Sequence, residues 1–228
     1  MIWHIFLPMA DRYMSAHTWT VFGMGNFIWD VFDAIESNRG IVSYIVLNTK
    51  VKESLLTKVP AQVKIIDVDH FTPATEKYCF GFIDPRKEAL LTQLEGFNLR
   101  FDNIVHRFSY VSPLVRLGKG NFIGAGVVLA PFVQLADFNF INRSVSVGHD
   151  TRIGNFNHLG PGVTVCGNCV MGDRNFLGAG SVVIEGITIE DGIILGAGAT
   201  AVRDLIDATT YVGTPAVPTQ SLPSKHRG

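Results

Sequence analysis

A chain of 228 residues with 19 basic and 20 acidic side chains has a net charge near −1, so it lacks the cationic excess that nucleic-acid binding requires. Its length can bury one or two cores, and no apolar run reaches the ~18 residues of a membrane span. With 23 glycines, 17% charged residues and a mean hydropathy of +0.25, the composition suits a β-rich protein that hides surface in an oligomer.

Residues 1–17 open on the apolar stretch MIWHIFLPMA, which is short and lacks a basic start, and they read as an irregular extension rather than a signal peptide. Thr18–Phe22 then reads as a strand, Gly23-Met24-Gly25 as a turn, and Asn26–Ser37 as a helix. Further strands are predicted at Ile41–Leu47, Val63–Ile66 and Tyr78–Phe82, with a helix from Pro85 to about Leu94. Strands alternating with helices predict a small, half-Rossmann-like α/β domain over 18–104 with a parallel sheet. A ligand of such a sheet sits at the carboxyl ends of the strands, here near Gly23, Gly25, Asn48 and Asp84. Gly23-x-Gly25 alone also reads as a turn with no ligand, because Ile28 stands where the nucleotide fingerprint has its third glycine.

From Val105 the grammar changes. Val105, Val111, Leu117, Ile123 and every sixth residue onward to Leu195 and Ala201 form seventeen consecutive apolar positions without an insertion. Glycine often follows, as at Gly118, Gly124, Gly148 and Gly160, where it is expected to help the chain turn without a Cβ penalty. Four residues after the aliphatic stands a small, β-branched or Asn residue such as Val127, Thr151 or Ser181. Each hexad thus supplies a short strand and a corner, and three hexads close a triangular coil. Stacked at the ~4.8 Å strand spacing, the coils make a parallel β-helix roughly 27 Å long over 105–206, followed by a cap and tail over 207–228. The residue before each aliphatic faces outward. One face then reads Phe122, Phe140, His158, Phe176 and Ile194, an apolar patch that a monomer would expose and a second subunit is expected to cover.

Cysteines number three, Cys79, Cys166 and Cys169; the odd count points to a reducing, cytoplasmic setting. Cys166-x-x-Cys169 has no second pair, so no zinc site is expected. A carbonic-anhydrase-like metal site on such a prism needs three imidazoles, and the repeats hold only His106, His149 and His158, with His106 more than two coils from His149.

The two halves together resemble the hexapeptide-repeat sugar O- and N-acyltransferases of the sialic acid O-acetyltransferase type, over roughly residues 18–216. The marks are the Gly23-x-Gly25 turn, Gly81-Phe82-Ile83-Asp84, Val111-Ser112-Pro113, Val147-Gly148-His149-Asp150, His158-Leu159-Gly160-Pro161-Gly162 and Gly213-Thr214-Pro215-Ala216. The resemblance implies a left-handed β-helix, against the right-handed rule for parallel crossovers. It also implies a homotrimer, acetyl-CoA as co-substrate without a metal, and a nucleotide-linked amino sugar as acceptor in bacterial glycan synthesis. O-acetylation of a sugar such as sialic acid and a non-catalytic β-helix scaffold remain the alternatives. Three positions depart from the family: Asn26-Phe27-Ile28 after the glycine turn, Leu47-Asn48 where acidic residues are usual, and Val217 where Lys often stands.

Acetyl transfer from a thioester to an amine requires a base tuned near neutrality, and histidine with a neighbouring carboxylate supplies one. His149 followed by Asp150 at a corner fits; as residues alone they read more readily as a solvated turn pair. By the resemblance, Asn142 and His158 lie near the acetyl group, and Gly167, Ala179 and Ala197 line the coenzyme arm. His149 falls at the corner between Val145–Val147 and Thr151–Ile153, whereas His158 lies on the remaining face. Within one chain they point apart, so three shared sites at trimer boundaries are expected.

Overall fold

The computed structural model describes residues 17–83 and 87–219, and the chain divides into two compact units between Arg107 and Phe108. The fold is a small parallel α/β unit followed by a left-handed parallel β-helix. Among the described residues no helix is long and apolar enough to cross a membrane. The 1–17 extension lies outside the described residues, apart from His17.

In the first unit the strands are β1 (Thr18–Phe22), β2 (Ile41–Leu47), β3 (Lys64–Asp67) and β4 (Lys77–Phe80). They pair in parallel in the order β3-β2-β1-β4. Helix α1 (Ile28–Ser37) buries Ile28, Val31, Phe32 and Ile35, the three-and-four spacing of one helical face. It starts two residues after the predicted Asn26 because the Ile28 N–H closes a turn onto the Gly25 carbonyl (3.1 Å). It stops where Arg39 turns into the left-handed region (φ 61°). A four-residue helix, α2 (Glu53–Leu56), has no buried side chain and hence no apolar periodicity from which it could be predicted. Helix α3 is described over Lys87–Leu94; Pro85, where it was expected to begin, lies outside the described residues. Phe22, fully buried, anchors the core against Phe71 (ring centroids 5.0 Å), Phe80 (6.2 Å) and Phe101 (6.0 Å).

A buried charge sits inside this unit. Lys87 is buried at the start of α3, with Nζ 5.9 Å over the Phe80 ring, and desolvation pushes its pKa down to about 8. Burial pushes the nearby Cys79 thiol up.

The second unit is three sheets of two-residue strands. One runs from Arg116–Leu117 to Thr188–Ile189 and another from Tyr110–Val111 to Thr200–Ala201. The third contains Phe122–Ile123, Phe140–Ile141, His158–Leu159, Phe176–Leu177 and Ile194–Leu195. Up to the last coil the strands pair with those eighteen residues on, as Phe140 with His158 and Ser146 with Thr164. The last coil is shorter, with Ile194 pairing Thr210, and Val217–Thr219 then closes that sheet as an antiparallel edge.

Glycine's part in the corners differs from the sequence expectation. The residue with positive φ stands three places after the aliphatic. All fourteen such positions from Gly120 to Gly198 adopt it, including Phe132, Phe138, Ser144, Asp150, Phe156, Asn168 and Arg174. Glycines directly after the aliphatic are outside that region, and close approach is what requires them. A Cβ at Gly148 would collide with the Gly167 amide nitrogen, and one at Gly178 would lie 2.5 Å from that of Ala197.

The outward column is also corrected. Phe122, Phe140 and His158 are buried within the single chain, because the rings lie flat on one another: Phe122 on Phe140 at 4.3 Å, Phe140 on His158 at 5.4 Å, His158 on Phe176 at 4.8 Å. Only its C-terminal end, Phe176 and Ile194, is open, at 44% and 37% exposure. Directly before this column runs a ladder of buried asparagines. Asn121 Oδ1 accepts from Asn139 N and Nδ2 (2.9 and 3.1 Å), and Asn139 Oδ1 accepts from Asn157 N and Nδ2 (2.8 and 3.0 Å). Asn157 Oδ1 accepts from Asn175 N (2.9 Å).

Two outcomes follow. Asn139→Ala leaves the Asn157 N–H without its side-chain acceptor in the core and is expected to destabilise the β-helix by about 2–4 kcal/mol in urea unfolding. Lys87 keeps its proton to about pH 10.5 when unfolded but to about pH 8 when folded, so its cost is full below pH 8 and fades as pH rises to 10.5. The stability difference between Lys87→Met and the parent should therefore move in the parent's favour by about 1–3 kcal/mol between pH 7 and pH 10 in paired denaturation curves.

Candidate active site

His149 lies two residues after the Val147 aliphatic, on the corner between the Ser146–Val147 and Arg152–Ile153 strands. The next residue, Asp150, takes the left-handed conformation (φ 59°), which Asp adopts more readily than most L-residues. That turn brings the carboxylate back to its neighbour: Asp150 Oδ2 lies 2.9 Å from His149 Nδ1. The hydrogen bond assigns the proton to Nδ1 and leaves Nε2 as the basic nitrogen. Both side chains are more than half exposed, so a substrate can reach them. Neighbouring coils hold the corner, with the Asp150 N–H donating to Pro131 O (3.2 Å) and the Asn168 N–H donating to His149 O (2.9 Å).

Gly167, one coil below His149, is buried and lies under the imidazole. Asn142, Ala179 and Ala197 belong to a different corner, the one between the Phe140–Ile141 and Ser146–Val147 strands. Gly167, Ala179 and Ala197 therefore do not form one line on a single chain. Asn142 is buried; its Oδ1 accepts from the Arg143 N–H (2.8 Å), and its Nδ2 has no hydrogen-bond partner among the described residues. His158 sits on the third sheet, between the Phe140 and Phe176 rings and nearly parallel to both (7° and 19°). The three histidines weighed for a metal separate accordingly: His149 occupies a corner, His158 a face, and His106 bonds Asp33 of α1 through Nε2 (3.1 Å). Among the described residues no three His, Cys, Asp or Glu side chains gather around a common point.

In the first unit, Gly23, Gly25 and Asn48 do come together at the carboxyl edge of β1 and β2. The Gly23 N–H donates to Val46 O (2.7 Å), and the Gly25 N–H donates to Gly81 O (3.2 Å). Gly23 has φ +74°, and a Cβ there would collide with the Phe82 ring and meet Asn48 Oδ1 at 3.2 Å. Phe82 thus fills the hollow that the two glycines leave, a neighbour whose role the Gly-x-Gly pattern does not reveal. Asp84 lies outside the described residues. A cavity of about 310 Å³ lined by Phe32, Glu36, Arg39 and Gln62 opens at the amino end of β2, the wrong edge for a ligand of a parallel sheet.

No family model matches the sequence, and no curated protein matches it; the likeness is to solved structures. PerB from Caulobacter crescentus, in complex with CoA and GDP-perosamine, is 28% identical with a TM-score of 0.78 over 90% of this chain and 98% of that one. The acetyltransferase domain of PglB from Neisseria gonorrhoeae, in complex with acetyl coenzyme A, is 22% identical (TM-score 0.75, 90% and 100% covered). WeeI from Acinetobacter baumannii is 18% identical (0.73, 89% and 99%), and these last two share the fold. The chain is similar over nearly its whole length to the perosamine N-acetyltransferase of Caulobacter crescentus, seen with CoA and GDP-perosamine.

The hollow at Gly23 is sensitive to substitution. Gly23→Ala combines a strained φ with a clash against Phe82. It should destabilise the first unit by about 2 kcal/mol or more, read as a separate early transition in thermal unfolding.

Proposed function

We propose that this chain transfers the acetyl group of acetyl-CoA to the amine of a nucleotide-linked amino sugar, with His149 as general base. The His149–Asp150 pair at 2.9 Å on an open corner carries the reading, because a proton-accepting Nε2 is what amine attack on a thioester requires. Asp150 holds the ring and stabilises the imidazolium that forms. The amine nitrogen bonds to the thioester carbon as Nε2 takes the amine proton. The C–S bond then breaks, and the CoA thiolate receives that proton from the imidazolium. Acetyl-CoA is a co-substrate in this scheme, and the unpartnered Asn142 Nδ2 is a donor available to it.

The acceptor is assigned by likeness: PerB is described with GDP-perosamine, an amino-sugar nucleotide. We assign Gly23, Gly25, Asn48 and Asp84 of the first unit to its binding. His149, Asp150 and Gly167 stand on one corner of the prism, and Asn142, Ala179 and Ala197 on another, reached from the face that carries His158. A homotrimer that sets the first corner of one copy against the second corner of its neighbour would unite both sets into three sites.

Coenzyme A release is the direct assay, run with acetyl-CoA over GDP-, UDP- and dTDP-linked 4-amino sugars, with free sialic acid as the hydroxyl acceptor. We expect turnover on an amino sugar and a drop in kcat of about 10²–10⁴-fold for His149→Ala at unchanged Tm. Asp150→Asn keeps a residue suited to the left-handed corner and should cost about tenfold or more. Co-assembled His149→Ala and His158→Ala chains should recover activity that neither variant has alone. Turnover unaffected by His149→Ala would overturn the mechanism, and no coenzyme A binding at all would favour a scaffold.

A further inference from the structure

We infer that Gly167 is a positioning residue for His149: its bare Cα is the seat on which the imidazole rests, and the absence of a side chain there aims Nε2. The inference rests on the catalytic reading of His149. A Cβ built at Gly167 would stand 3.0 Å from both Cε1 and Nε2 of His149 and 3.2 Å from the His149 carbonyl oxygen. Such separations are tighter than an ordinary van der Waals contact, so a methyl group there displaces the ring.

Backbone conformation does not explain the glycine. Gly167 is outside the left-handed region, and the same corner position one coil above His149 is Pro131, while one coil below Gly167 it is Glu185. The turn accepts side chains at this position in the coils on either side. Backbone packing contributes too, since the His149 carbonyl oxygen at 3.2 Å is almost as near as the ring atoms. The nearest atoms of all are those of the imidazole. It is held on its Nδ1 side by Asp150 at 2.9 Å and on its Cε1–Nε2 edge by the flat floor of Gly167. A side chain at Gly167 would force the ring to give up the Asp150 bond or to tilt Nε2 out of the line of the attacking amine. Relieving the 3.0 Å contacts takes a shift of a few tenths of an ångström, and because displacements of about 1 Å in a reacting group cost on the order of 10²-fold in rate, a smaller shift is expected to cost about tenfold.

The test is Gly167→Ala in the full-length protein, read three ways. Turnover should fall about tenfold in kcat with the KM for acetyl-CoA within about threefold of wild type. In ¹⁵N-histidine spectra, His149 should lose the signature of the Nδ1–H tautomer that the Asp150 bond enforces. Thermal unfolding should show the methyl group costing less in a His149→Ala background than in the parent, because the ring it strikes is gone. A raised KM at unchanged kcat, with the His149 spectrum intact, would overturn the inference and make Gly167 a coenzyme contact alone. An equal stability loss in both backgrounds would also overturn it. The spectral and thermal readings need no turnover, so they decide the seating of the ring even if no acceptor in the panel is acetylated.

Discussion

Hydrogen bonds between coils set the dimensions of everything in the second unit. The Phe140 N–H reaches Asn157 O at 2.8 Å, and the Gly148 N–H reaches Val165 O at 2.8 Å. Such bonds require each backbone to lie directly above the next at the strand spacing. The chain pays for that closeness at its corners, where a Cβ beside a neighbouring amide is excluded and one residue in six takes positive φ. His149 and Asp150 inherit their geometry from this constraint. The left-handed turn at Asp150 folds the carboxylate back onto its neighbour, and stacking puts Gly167 under the ring.

The repeat is legible from sequence because each hexad buries one large aliphatic, and burial tolerates few residue types. From the sequence alone, Val147, Ile153 and Leu159 therefore assign His149 to a corner and His158 to a face. The reason for the glycines is less legible. A glycine required by a neighbour's backbone and one required by its own φ look identical in a sequence, and the left-handed positions are disguised by Phe138, Ser144 and Arg174. The burial of Phe140 and His158 was hidden for a similar reason: alternation tells which way a side chain points, whereas coverage depends on rings eighteen residues away. In the first unit the elements follow from periodicity, but Phe82 filling the Gly23 hollow is a tertiary contact with no local signature.

The candidate site is thus divided between two kinds of control. At the His149 corner the backbone dictates the arrangement, and the side chains are short and locally bonded. On the face that carries His158, the ring is clamped between two phenylalanines while the asparagine ladder beneath fixes the height of each strand. A histidine so confined has little freedom to reorient, whereas His149, exposed and bonded on one side, can pass a proton outward.

The shortened final coil has a consequence for solubility. A stack of identical coils ends in unpaired strand edges, which invite a second prism to dock end to end and grow a filament. Here the sheet bearing the aromatic column finishes with Thr210–Val212 out of the eighteen-residue phase, and Val217–Thr219 runs against the direction of every strand before it. An incoming coil finds neither the register nor the polarity it needs along that sheet, so the same repetition that builds the prism is denied a template on which to continue.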